Sequence, residues 1–397
     1  MTGLARCAGD VREFLDRYWG RAPLHRAGAD ATGFADLFSL AEVDRLVTST
    51  AARTPAFRLV RDGRPLEPGR YTRTARIGGQ SVSGVADPAA IFQEFRNGAT
   101  IVFQGLHRSC PPLTRFCRDL ELELSHAVQA NAYVTPAGSR GLGVHYDTHD
   151  VFVLQLAGAK LWSIHEPVLA DPLPSQPWKG TADDAGEPCL SVDLQAGDFL
   201  YVPRGFLHSA EAQRDLSAHL TIGVVTTTWY DVVRDVVGGI AGEAEFRRAL
   251  PVGFASGTEG LAAEVEDTLA RLRKWLDEVD ARAVADDMAG RFWSGRPQLL
   301  AGQLQQLLAV GGIDDRSLLR RREGSVCHLM DVDDRLTVVL GTRRLQMPAD
   351  LRPAMDRIAG GGPFRLEALA DLMDEASRRV LARRLVIEGL LEMVPDG

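Results

Sequence analysis

The chain has 397 residues, 45% hydrophobic and 25% charged, the balance of a globular protein with enough length for two or three domains. A net charge of -8 argues against broad electrostatic binding to nucleic acid, and no apolar run of ~20 residues suggests a membrane span. The five cysteines lack any CxxC pair, which removes a zinc cage or disulfide framework, and MTGLARCAGDVREF lacks a signal peptide's apolar core, so a cytoplasmic protein is expected.

Residues 1–60 read as helical. Phe14, Leu15, Tyr18 and Trp19 fall at helical spacing, Pro23 closes the run, and Phe34, Leu37, Phe38, Leu40, Val43 and Leu46 continue the pattern. Short strands are expected from Phe57 to Tyr71 around the Asp62-Gly63 turn. Asp87-Pro88 supplies an N-cap and first-turn proline for a helix that Gly98 ends. ATIVFQGL reads as a buried strand, followed by a helix from Pro111 to about Val128.

Then a β-rich block begins: ANAYVT, VHYDTHDVFVLQL, KLWSIHE, FLYVPRG and LSAHLTIGVVTT. Short strands broken by Gly, Pro and Asp turns suggest a sandwich or jelly roll. The polar stretch from Pro167 to Pro188 is long for a loop in a compact domain, and such loops tend to be functional or disordered. From Trp229 the pattern turns helical, with Leu261, Val265, Leu269, Leu272, Trp275, Leu276 and Val279 on one face and Leu299, Leu300, Leu304, Leu307 and Leu308 on another. From about Asp314, a strand-like LTVVLG, helices in LEALADLM and ASRRVLARRLVIEGLL, and a terminal LEMV suggest a winged helix. The expected class is α+β, with a jelly-roll domain over residues 1–230, a helical region over 231–312 and a winged helix over 313–397.

The stretch VHYDTHDVFVLQLAGAKLW carries the chemistry. In an extended strand, residues two apart face the same way, so His145 and Asp147 offer an imidazole and a carboxylate together. These are two members of the 2-His-1-carboxylate set that holds non-haem Fe(II) with open positions. GDFLYVPRGFLHSA supplies the third, His208, because a jelly roll brings distant strands together. His149, His165 and His219 are rivals. A kink after Asp147 would turn His149 away, leaving it beside the ligands or facing substrate, while His219 is expected to line or support the pocket. His25, His107, His126 and His328 have no partner pattern. Lys160 is one of only three lysines.

The ordered set FLDRYWGRAPL, NAYVTP, HYDTHDVFVLQLAGAKLW and GDFLYVPRGFLH resembles the JmjC-type, cupin-like Fe(II)/2-oxoglutarate oxygenases, specifically the ribosomal oxygenase group, across almost the whole chain. The resemblance implies a double-stranded β-helix in which His145, Asp147 and His208 ligate Fe(II). It implies that Lys160 grips the distal carboxylate of 2-oxoglutarate, with Asn131, Tyr133 and Thr221 lining the same pocket. With O2 as the other cosubstrate, the implied reaction hydroxylates a His or Arg side chain of a ribosomal protein and releases succinate and CO2. The helical region is implied to make a homodimer. The nearly neutral C-terminal unit points to protein docking rather than nucleic acid. A hydroxylase tailoring a peptide natural product would use the same core residues. A non-catalytic cupin with a DNA-reading winged helix would have no need of an iron face.

Overall fold

The alternation of apolar and polar residues along the strands decides the architecture of the first unit. The computed structural model describes residues 2–139, 143–212, 215–256 and 259–394, and its contacts divide the chain into units 1–226 and 227–397. The first unit opens with helix Gly3–Ala8, capped by the Thr2 side chain, and a short helix Val11–Glu13 that runs into a π-turn over Phe14–Tyr18. Strand β1 (Leu24–Arg26) and helix Leu40–Ser49 follow, then β2 (Phe57–Arg61) and β3 (Arg64–Pro65). The hairpin of β4 (Thr72–Ile77) and β5 (Gln80–Ala86) leads to helix Pro88–Arg96, where Asp87 is the N-cap. Next come β6 (Thr100–Phe103) and helix Pro111–Leu124.

The β-rich block supplies β7 (Ala127–Thr135), β8 (Asp150–Ala157), β9 (Ala159–Pro167), β10 (Pro188–Gln195), β11 (Phe199–Val202), β12 (Phe206–Glu211) and β13 (Ser217–Val225). An eight-stranded antiparallel sheet, ordered β1-β11-β8-β13-β7-β6-β2-β3, is accompanied by a three-stranded sheet ordered β10-β9-β12. Phe152 and Leu154 face the helix-covered core, while Val151 and Val153 meet Trp162 and Ile164 of the small sheet. On β7 and β13 the same parity sends Ala130, Ala132, Leu220 and Ile222 into the core. It leaves Asn131, Tyr133, His219 and Thr221 on the opposite face. This is the α+β jelly roll expected.

One expectation in this unit's strands changes and one hairpin is new. VHYDTHD is not continuous strand: His145 forms an isolated bridge with His208, the chain bends at Thr148 and His149, and β8 begins only at Asp150. The β4–β5 hairpin had no signal strong enough to be read, since its alternation is mostly exposed.

In the second unit, helices Trp229–Gly238, Glu259–Asp277, Ala281–Ser294 and Gln303–Ala309 bury almost nothing, Gly290 alone among them. Strand β14 (Leu318–Arg321) precedes a meander of β15 (His328–Val332), β16 (Arg335–Leu340) and β17 (Arg343–Pro348). LTVVLG is thus the central strand of that meander. After helix Arg352–Ala359, β18 (Phe364–Arg365), helix Glu375–Ile387 and β19 (Leu391–Met393) close the unit, with β18-β14-β19 as its second sheet. LEALADLM, expected as a helix, is a 3-10 turn over Leu366–Leu369, short because Leu366 and Leu369 need only one turn to enter the core. No described helix is long and apolar enough to cross a membrane.

Candidate metal centre and anion pocket

His145, Asp147 and His208 converge so that one ligand atom from each lies within 4.8 Å of the others. They form the only group of three or more His, Cys, Asp or Glu with metal-holding geometry among the described residues. The backbone bridge between His145 and His208, with N–H···O distances of 3.1 and 2.8 Å, sets the two imidazoles side by side. Their ring centroids are 4.5 Å apart. Each ring is then oriented by a carbonyl: His145 Nδ1 donates to Gly143 O at 2.8 Å, and His208 Nδ1 to Phe206 O at 3.0 Å. A carbonyl can only accept, so the proton sits on Nδ1 and the Nε2 lone pair is free for a cation. His208 Nε2 lies 3.7 Å from Asp147 Oδ2. Burial, and then the neighbouring His145, push His208 down to about 4, so it is neutral near pH 7 and ready to ligate.

Backbone tethers place Asp147. Its carbonyl accepts from Gly205 N at 3.0 Å. Gly205 has φ +85°, and a Cβ there would lie 2.5 Å from Leu169 O, so only glycine suits this turn. Three residues on, buried Asp150 accepts from the Tyr201 hydroxyl at 2.6 Å, and that hydroxyl accepts from Gly20 N at 2.8 Å. Trp19 stacks on Tyr201, with centroids 5.8 Å apart. The N-terminal FLDRYWG segment therefore braces the strand that follows the ligands.

A cavity of about 60 Å³ runs from these ligands, lined also by Tyr133, Val151, Lys160, Trp162, Ser209, Ala210, His219 and Thr221. Lys160 is 2% exposed, and Nζ donates to Thr135 Oγ1 at 3.2 Å. No ion pair involves it among the described residues, and burial alone pushes its ammonium down to about 8 from 10.5. That corresponds to about 3 kcal/mol against the charged form, which a charge-assisted hydrogen bond from an anionic guest is of a size to offset. Two more buried polar atoms in this wall have no partner: Trp162 Nε1 and His219 Nδ1. His219 stacks flat on Tyr133 at 5.1 Å and edge-on to Trp162 at 5.6 Å. Burial, reinforced by Lys160, keeps His219 neutral. Burial, then the charge of Asp147, raises the Tyr133 phenol above its ordinary value. A cavity with one uncompensated cation and unpaired hydrogen-bonding groups, opening onto three metal-ligand atoms, fits a small anion that also reaches a metal.

Of the residues expected at the site, His145, Asp147, His208, Lys160, Tyr133 and Thr221 line this cavity. Asn131 does not: its side-chain oxygen accepts from Gly105 N at 3.0 Å and pins the chain after β6. His149 is turned by the bend and packs beside Gly223. His165 Nδ1 bonds Gly186 O, away from the ligands. Sequence reasoning passed over Trp162 and Thr135. Strand parity could have found both, since Trp162 stands two after Lys160 and Thr135 two after Tyr133.

A jelly roll with this ligand set and a lysine-floored pocket agrees with the arrangement that the resemblance to JmjC oxygenases implies, and residues 107–232 match the JmjC domain family. Residues 107–232 are thus a JmjC domain, and the chain's homologues include proteins named ribosomal oxygenases. It is 30% identical over 322 residues to ribosomal oxygenase 2 of Rattus norvegicus, covering 76% of this chain and 66% of that one. It is 32% identical over 251 residues to ribosomal oxygenase 1 of Homo sapiens, covering 61% and 38%. The bifunctional lysine-specific demethylase and histidyl-hydroxylase NO66 of Dictyostelium discoideum is 28% identical over 299 residues, covering 73% and 54%. The chain thus spans about half the length of the first curated relatives it matches. Among solved structures, Escherichia coli YcfD shares the fold with a TM-score of 0.59 at 17% identity, covering 98% of this chain and 99% of that one. A second structure of YcfD, in complex with cobalt and 2-oxoglutarate, gives 0.55 at 16% over the same shares.

The Lys160 environment has a measurable consequence. The free ammonium loses its proton as pH rises through about 8, so affinity for a dicarboxylate such as 2-oxoglutarate should be full below that pH. Above it, affinity should fall about tenfold per pH unit. Lys160→Arg, charged throughout, should abolish this slope in calorimetric titrations between pH 7 and 9.5.

Proposed function

We propose that this chain is an Fe(II)- and 2-oxoglutarate-dependent oxygenase that hydroxylates a His or Arg side chain of a ribosomal protein in the cytoplasm. The observation that carries the reading is the juxtaposition just described: three metal-ligand atoms at one end of a cavity and an ammonium without a counter-ion in its wall. His145, Asp147 and His208 would hold the iron, and Lys160 the distal carboxylate of 2-oxoglutarate. Bound there with O2, that pair supplies the oxidising power to hydroxylate an unactivated C–H, with succinate and CO2 as co-products.

The protein's own part is orientation and exclusion. The Gly143 and Phe206 carbonyls fix the rings of His145 and His208, so neither ligand must reorient before binding metal. Thr135, itself hydrogen-bonded to Thr100 at 3.2 Å, fixes the lysine head. Trp162, Tyr133 and Val151 wall the pocket against bulk water. A groove of about 560 Å³ shares Ser209 and Ala210 with this pocket and is lined by Asp62, Leu161, Ser163, Ala182 and Glu211. The Asp62 carboxylate in its wall suits a basic side chain, which supports a His or Arg target over an acidic one.

The second unit is proposed as a dimerisation region followed by a winged helix. The strongly exposed apolar residues Trp229 (84%), Leu304 (67%) and Leu308 (81%) favour a partner surface on its helices. Trp275 packs instead on Gly239 of its own chain. The sheet of β18, β14 and β19 beside helix Glu375–Ile387 supports the winged-helix reading. That helix's arginines are engaged internally: Arg378 with Asp315, Arg379 with Glu375, Arg383 with the Gly311 and Ile313 carbonyls, and Arg384 with Glu388. Protein docking, not nucleic-acid binding, is therefore proposed for it.

Ribosomal proteins from the source organism lacking this gene, incubated with the protein, Fe(II), ascorbate and 2-oxoglutarate, should gain one oxygen on a single His or Arg by mass spectrometry. Asp147→Ala should give no product; turnover by that variant with normal iron content would refute the assignment. Light scattering should show a dimer that Leu269→Glu combined with Leu308→Glu converts to monomer. An unchanged mass would remove these helices from the interface.

A further inference from the structure

The stretch that holds two of the three ligands lies outside the regular sheet. His145 has only an isolated bridge to His208, and β8 starts at Asp150. Sheet hydrogen bonding therefore does not by itself decide how the segment 145–147 is turned, and something else must. Tyr146, between the two ligands, is 7% exposed and points away from them into the long connection between β9 and β10. Its hydroxyl donates to the Gln176 carbonyl at 2.9 Å, and its ring meets the Trp178 ring edge-on with centroids 5.4 Å apart. The same connection grips the other ligand-bearing segment. Asp171 Oδ1 accepts from Arg204 Nε at 3.1 Å and from Nη2 at 2.9 Å. Leu169 O and Pro172 crowd Gly205, whose amide holds the Asp147 carbonyl. One polar loop thus touches both chain segments that carry the ligands.

We propose that Trp178 is a positioning residue for the metal centre. Through Tyr146 it fixes the direction in which His145 and Asp147 present their ligand atoms. Asp171, through Arg204, does the same for the turn leading to His208. This rests on the reading of the triad as an iron site and adds residues that touch neither metal nor cosubstrate. Tyr146 alternates with the two ligands, so a rotation of its backbone carries both ligand side chains with it. Trp178 is half-buried on the surface side of Tyr146, so its loss frees Tyr146 without opening the hydrophobic core.

The test is metal binding by the full chain, with Co(II) as probe, read from its visible absorption bands during titration. Trp178→Ala should raise the Co(II) dissociation constant about tenfold, at the lower end of what loss of ligand-orienting groups costs. It should also change the band shape while leaving the melting temperature of the metal-free protein near that of wild type. Trp178→Phe, which keeps a ring edge against Tyr146, should restore affinity and spectrum. Asp171→Asn should weaken binding by a smaller factor. Unchanged affinity and spectrum in Trp178→Ala would overturn the proposal. So would a weakening matched by a lower melting temperature and not rescued by Phe, because that is a structural role. A wild-type chain that binds no Co(II) would instead overturn the iron reading itself, and the positioning role with it.

Discussion

An imidazole has two nitrogens, and this site depends on what holds the one that turns away from the ligand centre. In His145 and His208 alike that nitrogen is Nδ1, and in both a backbone carbonyl two residues earlier accepts its proton, Gly143 O and Phe206 O. The tautomer and the ring direction are thereby set by main chain, which cannot rotate as a side-chain partner could. The reciprocal bridge between the two histidines then fixes the spacing of the Nε2 atoms. Asp147 is held by the Gly205 amide, and Gly205 can take that turn against Leu169 O and Pro172 only because it lacks a Cβ. The ligand set is therefore organised before any cation arrives.

The second constraint is the cost of the pocket wall. A lysine with a lone hydroxyl partner, an indole N–H with no acceptor and an imidazole nitrogen with no partner are each unfavourable inside a protein, at about 1–3 kcal/mol for an unmet hydrogen-bonding group. Hydrophobic packing alone would have filled this space with aliphatic side chains, as it does in the adjoining cluster of Val153, Ile164 and Leu194. A cluster of unmet polar groups beside a preset triad is what a polar, anionic guest would satisfy.

Much of this was legible in the sequence because strands obey a period of two. The two-residue spacing of His145 and Asp147 marked them as a ligand pair although that stretch is not regular strand, His208 followed an apolar strand and an Arg-Gly turn, and the resemblance pointed to Lys160 and to Tyr133 in NAYVT. Parity also misled in one place. Asn131 shares a face with Tyr133, yet a loop from β6 reaches its carboxamide first, a contact between distant segments that no local pattern records. Trp162 carried no sequence signal of its own; its unpartnered Nε1 and its place in the cavity lining mark it as pocket wall. The long connection between β9 and β10 could be flagged by length, but its grip on Tyr146 and Arg204 exists only in three dimensions. In the second unit, helical spacing found the long helices, whereas the β15–β17 meander was mostly missed because charged residues interrupt its outer strands.

The positions of a bound metal and a bound dicarboxylate test the site most directly. Anomalous diffraction from crystals grown with Mn(II) and 2-oxoglutarate measures both at once. A metal peak within about 2.0–2.4 Å of His145 Nε2, His208 Nε2 and an Asp147 carboxylate oxygen is expected. The far carboxylate should lie in hydrogen-bond contact with Lys160 Nζ. A metal bound elsewhere, or a dicarboxylate that leaves Lys160 without a partner, would contradict the assignment.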